Sequence, residues 1–304
     1  MAQVVVRNLL KRYGQLEAVR DVSFDINAGE IFGLLGPNGA GKTSTLECVI
    51  GLRRPDQGSV EICGVDALSD PRQARQTIGA QLQSTALQDK ITPREALRLF
   101  GSFHERPATP DQLIDRFSLG EKADAPFDSL SGGQRQRLGL ALAFVNKPRA
   151  VFLDEPTTGL DPQSRRELHK LILQMRGEGC SVLLTTHYIE EAAQLCDRIA
   201  IVDHGRVVAA APPGDLVAKA RALPRVLFRA ARSVDLADLA KLAGVTNSVA
   251  VRDGYQLQAA APGACIIELV RLLEAQQNEL LDLQVQKPSL EDVFIELTGS
   301  SLRE

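Results

Sequence analysis

The chain has 304 residues, 44% hydrophobic and 24% charged, a balance that suits one large core plus a small one and excludes disordered and fibrous classes. Its net charge of −3, with Lys and Arg scattered rather than gathered into blocks, lacks the footprint of a nucleic-acid binder, so no nucleic-acid partner is expected. No run approaches the roughly 18 apolar residues that span a bilayer, and "MAQVVVRNLL" lacks the basic opening and long apolar core of a signal peptide; a soluble chain is expected.

From the N-terminus, "QVVVRNL" and "EIFGLLG" read as strands, the second apolar almost throughout, as a strand covered on both faces should be. The second strand runs into "GPNGAGKT", Gly36 to Thr43, which matches G-x-x-x-x-G-K-[ST] between a strand and a helical pattern, "GKTSTLECVIGL". That is a phosphate-binding loop. Its glycines let backbone N–H groups approach phosphate oxygens, the helix start adds a favourable partial charge, Lys42 reaches the β- and γ-phosphates and Thr43 offers a hydroxyl to Mg²⁺.

After the strand "GSVEICG", the segment from Pro93 to Phe127 shows no strand but carries two amphipathic pieces, "TPREALRLFGSF" and "TPDQLIDRFSL". It reads as a helical insertion, with Thr92 and Thr109 as N-caps before prolines at the first helical position. Next comes "LSGGQ", Leu130 to Gln134, and then "AVFLDE", an apolar strand whose end presents Asp154 to Mg²⁺ and Glu155 to an attacking water. "SVLLTTH" and "RIAIVDHG" are further strands, and "SRRELHKLILQMRGEG" and "IEEAAQLCDR" are helical, which gives an α/β core with a largely parallel sheet.

Pro212, Pro213 and Gly214 punctuate the chain, and the order beyond them is strand, helix, strand, strand, helix, strand. That suggests a small α+β, ferredoxin-like C-terminal domain closed by the helix "SLEDVFIELTG". The five cysteines form no CxxC pair and no zinc-finger spacing with histidine, which fits reduced thiols packed as small apolar side chains. His104, His169 and His204 have no partner legible in the sequence and read as surface residues.

"LSGGQ" followed by "LDEPTTGLDP" resembles the signature, acidic strand and D-loop run of ATP-binding cassette (ABC) ATPases, with order, spacing and residue types all in agreement. The resemblance covers about Val4 to Ala211 and implies a P-loop NTPase cassette over residues 1–214, with a helical subdomain at about 84–127 and an accessory domain over 215–304. It implies ATP and Mg²⁺ as cofactors. Gly36, Pro37, Asn38, Gly39, Ala40, Gly41, Lys42, Thr43 and Ser44 would cradle the phosphates, and Tyr13 in "KRYG" would stack on adenine. Thr43, Gln83 and Asp154 would hold the metal, and Glu155, His187 and Gln83 would serve hydrolysis. Gln83 is preferred to nearby Gln81 because the family's glutamine falls a fixed step after the glycine that Gly79 matches.

In this family ATP lies between two cassettes, so Ser131, Gly132, Gly133 and Gln134 would complete a second copy's site, and Asp161 would link the two sites. A serine hydroxyl, glycine N–H groups and a helix start all suit an anionic γ-phosphate. One set of motifs per chain implies a homodimer or a pairing with another cassette. The tail, ending "KPSLEDVFIELTG", is similar to that of drug-resistance exporter ATPases, which work with separate polytopic membrane permeases from the cytoplasmic side of the membrane. The competing expectations are a soluble cassette ATPase acting on ribosomes or nucleic acid, and a regulated ATPase whose tail senses a ligand.

Overall fold

The computed structural model describes residues 2–83, 86–220 and 222–299. The expected domain limits at residues 1, 84 and 304 lie outside these described residues. The chain forms two compact units that divide between Pro213 and Gly214.

The first unit opens with β1 (Ala2–Tyr13) and β2 (Leu16–Asn27), antiparallel and joined by a turn at Gly14. There follow β3 (Ile31–Leu35), α1 (Lys42–Val49), β4 (Gln57–Ile62), β5 (Val65–Asp66), α2 (Pro71–Gln76) and β6 (Ile78–Gln81). The middle of the unit holds α3 (Pro93–Gly101), α4 (Pro110–Arg116) and α5 (Gly132–Ala143). Then come β7 (Ala150–Asp154), α6 (Pro162–Gly177), β8 (Ser181–Thr186), α7 (Ile189–Leu195), β9 (Arg198–Asp203) and β10 (Arg206–Ala211).

These strands make two sheets where the sequence suggests one. The larger has the order β10-β9-β3-β8-β7-β6 and is parallel except for its edge strand β10. The other, β2-β1-β4-β5, is antiparallel. Strands β3, β7 and β8 are buried at every position, whereas β4 alternates towards solvent at its end, as a sheet covered on one side does. Phe24 of β2 stacks on Phe32 of β3 with centroids 5.2 Å apart, and α1 touches β1 and β2 of one sheet and β7 and β8 of the other. The helix after the phosphate loop is therefore clamped between two sheets.

In the middle segment Thr92 and Thr109 close capping boxes with Glu95 and Gln112, and Pro93 and Pro110 open α3 and α4. Burial of Ala96, Leu97, Leu113 and Ile114 leaves Leu99, Phe100 and Phe103 exposed.

The second unit, after α8 (Pro213–Lys219), contains β11 (Arg225–Ala230), α9 (Leu236–Leu239), β12 (Val245–Val251), β13 (Gly254–Ala259), α10 (Pro262–Ala275), β14 (Leu280–Gln286) and α11 (Leu290–Thr298). Its antiparallel sheet has the order β12-β13-β11-β14. Val226, Phe228, Leu257, Leu269 and Leu273 form its own core.

All five cysteines are free, and four are buried. Burial pushes the Cys48 thiol up to about 11 and the Cys180 thiol up to about 12, so neither is a thiolate at neutral pH.

Candidate nucleotide-binding and catalytic site

The phosphate loop leaves β3 and turns into α1 through backbone positions that only glycine fills without strain. Gly41 has φ +98°, and a Cβ there would stand 2.2 Å from the Ala18 carbonyl oxygen; a Cβ on Gly36 would stand 2.3 Å from that of Val202. The loop is closed by hydrogen bonds from the Ala40 N–H to the Pro37 carbonyl (3.2 Å) and from the Gly205 N–H to the Ala40 carbonyl (3.0 Å).

Lys42 is 4% exposed, and its Nζ donates to the carbonyls of Gly36 (2.8 Å) and Pro37 (3.0 Å). It also lies 3.5 Å from Glu155 Oε1. Burial pulls its ammonium below the ordinary lysine value, and the Glu155 carboxylate opposes that shift.

Behind the loop, Asp154 closes β7 with 2% exposure. Its Oδ1 accepts from Thr43 Oγ1 at 3.1 Å and from Thr185 Oγ1 at 2.5 Å. Burial raises its carboxyl above the usual range, and the two hydroxyls offset part of that. A hydroxyl and a carboxylate held this close are hard oxygen donors of the kind Mg²⁺ takes when it binds through one or two side chains and the substrate phosphates. Among the described residues there is no cluster of three or more His, Cys, Asp or Glu that could hold a metal ion.

Glu155 follows at φ +46°, in the left-handed region. Thr185 steadies it, since the Glu155 N–H reaches Thr185 Oγ1 at 3.0 Å, while Thr158 Oγ1 donates to Glu155 Oε2 at 3.3 Å. His187 Nδ1 is 3.2 Å from the same Oε2 but off the line of a hydrogen bond, so that nitrogen is buried without a formal partner. The His187 ring packs on Tyr188 with centroids 4.1 Å apart.

A cavity of about 570 Å³ collects Tyr13, Asn38, Gly39, Gly41, Lys42, Thr43, Ser44, Gln83, Glu155 and His187. Tyr13 is 39% exposed at its mouth, with Lys11 Nζ 5.6 Å from its ring centroid. Gln83 lines the cavity, whereas Gln81 is 3% exposed and its Nε2 bonds to the Gln136 side chain and backbone of α5. Leu16, Ala18, Thr158 and Tyr188 also line it. Nothing in their composition marks these four; the run "TTH" alone points to Thr185.

Ser131, Gly132, Gly133 and Gln134 are absent from this cavity. Ser131 caps α5 in a capping box: its Oγ accepts from the Gln134 N–H at 3.3 Å, and Gln134 Oε1 accepts from the Ser131 N–H at 2.9 Å. A Cβ on Gly133 would meet Ser164 Oγ of α6 at 2.7 Å, so the helix starts of α5 and α6 lie side by side. Asp161 caps α6, accepting from the N–H groups of Gln163 (2.9 Å) and Ser164 (3.0 Å) and from Ser164 Oγ (2.6 Å). The Ser164 hydroxyl and these N–H groups hold its carboxyl below the usual range.

The surface reading of the histidines is right for His204, whose side chain is 87% exposed, and wrong for His169, which has only 13% side-chain exposure and lies 3.2 Å from buried Glu191. Those two residues meet because α6 packs on α7, which their positions in the sequence do not reveal.

The chain matches the family described as ABC transporter over residues 19–158. It is 37% identical over 311 residues to the daunorubicin resistance ATP-binding protein DrrA3 of Streptomyces coeruleorubidus, covering 99% of this chain and 97% of that one. It is 35% identical over 311 residues to the Nod factor export ATP-binding protein I of Ralstonia nicotianae, covering 98% and 94%. A solved ATP-binding subunit of an ABC transporter superposes with TM-score 0.65 at 28% identity, over 71% of this chain and 92% of that one. A cassette solved as a dimer in a post-hydrolysis state with ADP and phosphate gives 0.63 at 26%, over 69% and 98%. Similarity to the resistance and export proteins along nearly the whole chain, with Lys42, Thr43 and Glu155 lining one cavity and Asp154 bonded to Thr43 behind it, shows that the chain belongs to the ABC transporter family as an ATP-binding and ATP-hydrolysing subunit.

Proposed function

We propose that the chain energises an ABC exporter in which two copies close on ATP and pass that motion to a separate polytopic permease at the cytoplasmic face of the membrane. Relatives named for daunorubicin and doxorubicin resistance and for Nod factor export support outward transport, with drugs or antibiotics as the first cargo class to test. Residues 1–214 act as the ATPase domain, with its helical subdomain at about 84–127, and residues 215–304 as a ferredoxin-like accessory domain.

The observation that carries the catalytic part is the convergence of Lys42, Thr43, Gln83, Glu155 and His187 on one cavity. Lys42 and the loop N–H groups bind the β- and γ-phosphates, and Tyr13 stacks on the base. Thr43, Gln83 and Asp154 would hold Mg²⁺, which when bound would supply positive charge to offset that of the phosphates. Glu155 accepts the proton of the water that attacks the γ-phosphorus, the bond to the bridging oxygen breaks, and ADP and phosphate result. His187 orients the γ-phosphate beside Glu155. Ser131, Gly132, Gly133 and Gln134 close over the γ-phosphate of the other copy, which is why they lie outside their own chain's cavity, and Asp161 joins the two sites.

The permease contact falls on the middle segment, where Leu99, Phe100 and Phe103 are 48%, 36% and 67% exposed. Full-length Glu155→Gln protein, expressed in its native host and recovered from gently solubilised membranes with ATP, should bring down a stoichiometric polytopic membrane protein. Adding Leu99→Ser, Phe100→Ser and Phe103→Ser should release that protein while ATP binding persists. Recovery of ribosomes or only soluble proteins would overturn the exporter reading, and retention by the triple variant would overturn the contact.

A further inference from the structure

Glu191, in the first turn of α7, is 3% exposed. Its Oε1 accepts from Thr157 Oγ1 at 2.7 Å and faces His169 Nε2 at 3.2 Å, while its Oε2 is buried without a hydrogen-bond partner. Burying a carboxylate is costly unless its partners are worth holding, and Glu191 is not among the residues lining the nucleotide cavity.

The segments it joins are those that carry the hydrolytic groups. Thr157 lies in the turn that begins at Glu155 and is closed by the Thr158 N–H on the Glu155 carbonyl at 3.2 Å. His169 lies on α6, whose cap is Asp161, and Glu191 follows His187 by one turn of chain. Glu155 occupies a left-handed conformation that a non-glycine residue keeps only when its surroundings over-determine it. Thr185 holds the Glu155 N–H on one side of the turn, and the Thr157–Glu191 bond anchors the other.

We propose that Glu191 is a positioning residue for hydrolysis. Acting through Thr157 and His169, it locks the turn bearing Glu155 to α6 and to the helix that follows His187, so that Glu155, His187 and Asp161 keep one geometry as the site closes. The inference rests on the reading of Glu155 as the residue that takes the proton.

The test is steady-state ATP hydrolysis by the purified full chain with Mg²⁺, alongside ATP binding and thermal unfolding. Thr157→Val keeps the shape and removes the hydroxyl. It should lower kcat on the order of tenfold while KM for ATP stays within about twofold, because a displaced general base impairs chemistry rather than binding. Thr157→Ser should restore most of the rate. Glu191→Ala should lose a comparable amount, Glu191→Gln should lose less because its amide oxygen still accepts from Thr157, and the double variant T157V/E191A should fall no further than E191A.

A wild-type kcat in T157V, a loss that T157S does not restore, or additive losses in the double variant would each overturn the proposal. If E191A fails to fold, the T157V and T157S pair decides alone. Glu155→Gln run in parallel separates the two readings. A slow E155Q beside a wild-type T157V removes only the role of Glu191; a wild-type E155Q removes the role of Glu155 and this inference with it.

Discussion

At Lys42 two demands compete: 4% exposure disfavours its charge, while Glu155 at 3.5 Å and the carbonyls of Gly36 and Pro37 support it. In the proposed cycle the incoming phosphate takes over as the anionic partner of the ammonium, and Glu155 is left to face water. Exchanging Glu155 for Gln removes the proposed proton acceptor and keeps the shape. Hydrolysis should slow by about 10²- to 10⁴-fold with ATP affinity retained, as single-turnover kinetics and equilibrium nucleotide binding would show. Normal single-turnover rates would take Glu155 out of that role. The phosphate loop and the Asp154–Glu155 pair are legible in the sequence because each depends on neighbours a few residues apart on one strand end. The Glu191–His169 pair is not, since it arises only when α6 and α7 pack together, and neither residue type is unusual in a helix.

At the scale of elements, the start of α5 has two separable tasks in the proposed dimer. Ser131 caps the helix through a capping box that takes up its own N–H and that of Gln134, and it stands exposed at the surface of the chain. Ser131→Ala should cost about 1 kcal/mol through the lost cap, seen as a fall of roughly 2–4 °C in Tm. A larger fall would mean that Ser131 holds more than its own helix. The caps at Thr92 and Thr109 were legible because Thr-Pro followed three residues on by Glu or Gln is a local pattern. Strands β2 and β6 were not: β2 mixes Glu17, Arg20, Asp21 and Asp25 with its apolar residues, and β6 is four residues long. Missing β2 hides much of the antiparallel sheet, because β2 is one of the two strands that pair with β1.

For the molecule as a whole, the residues assigned to ATP all lie in the first unit, yet its cavity gathers only part of them. Ser131, Gly132, Gly133 and Gln134 sit at the start of α5 beside α6, with Ser131 and Gln134 engaged in its capping box and none of the four lining the cavity that holds Lys42. An arrangement in which each chain owns half of two sites accounts for that separation, and C2 symmetry satisfies both halves at once. The central claim is therefore that ATP is hydrolysed between two copies. Complementation tests it most directly, using purified full-length Lys42→Ala, which lacks the phosphate-loop cation, and Ser131→Arg, which blocks the start of α5. Each alone should be inactive. Mixed, they form a heterodimer with one intact site, built from Lys42 of the S131R copy and Ser131 of the K42A copy, so ATP hydrolysis should return. A mixture as inactive as its two components would contradict a site shared between copies.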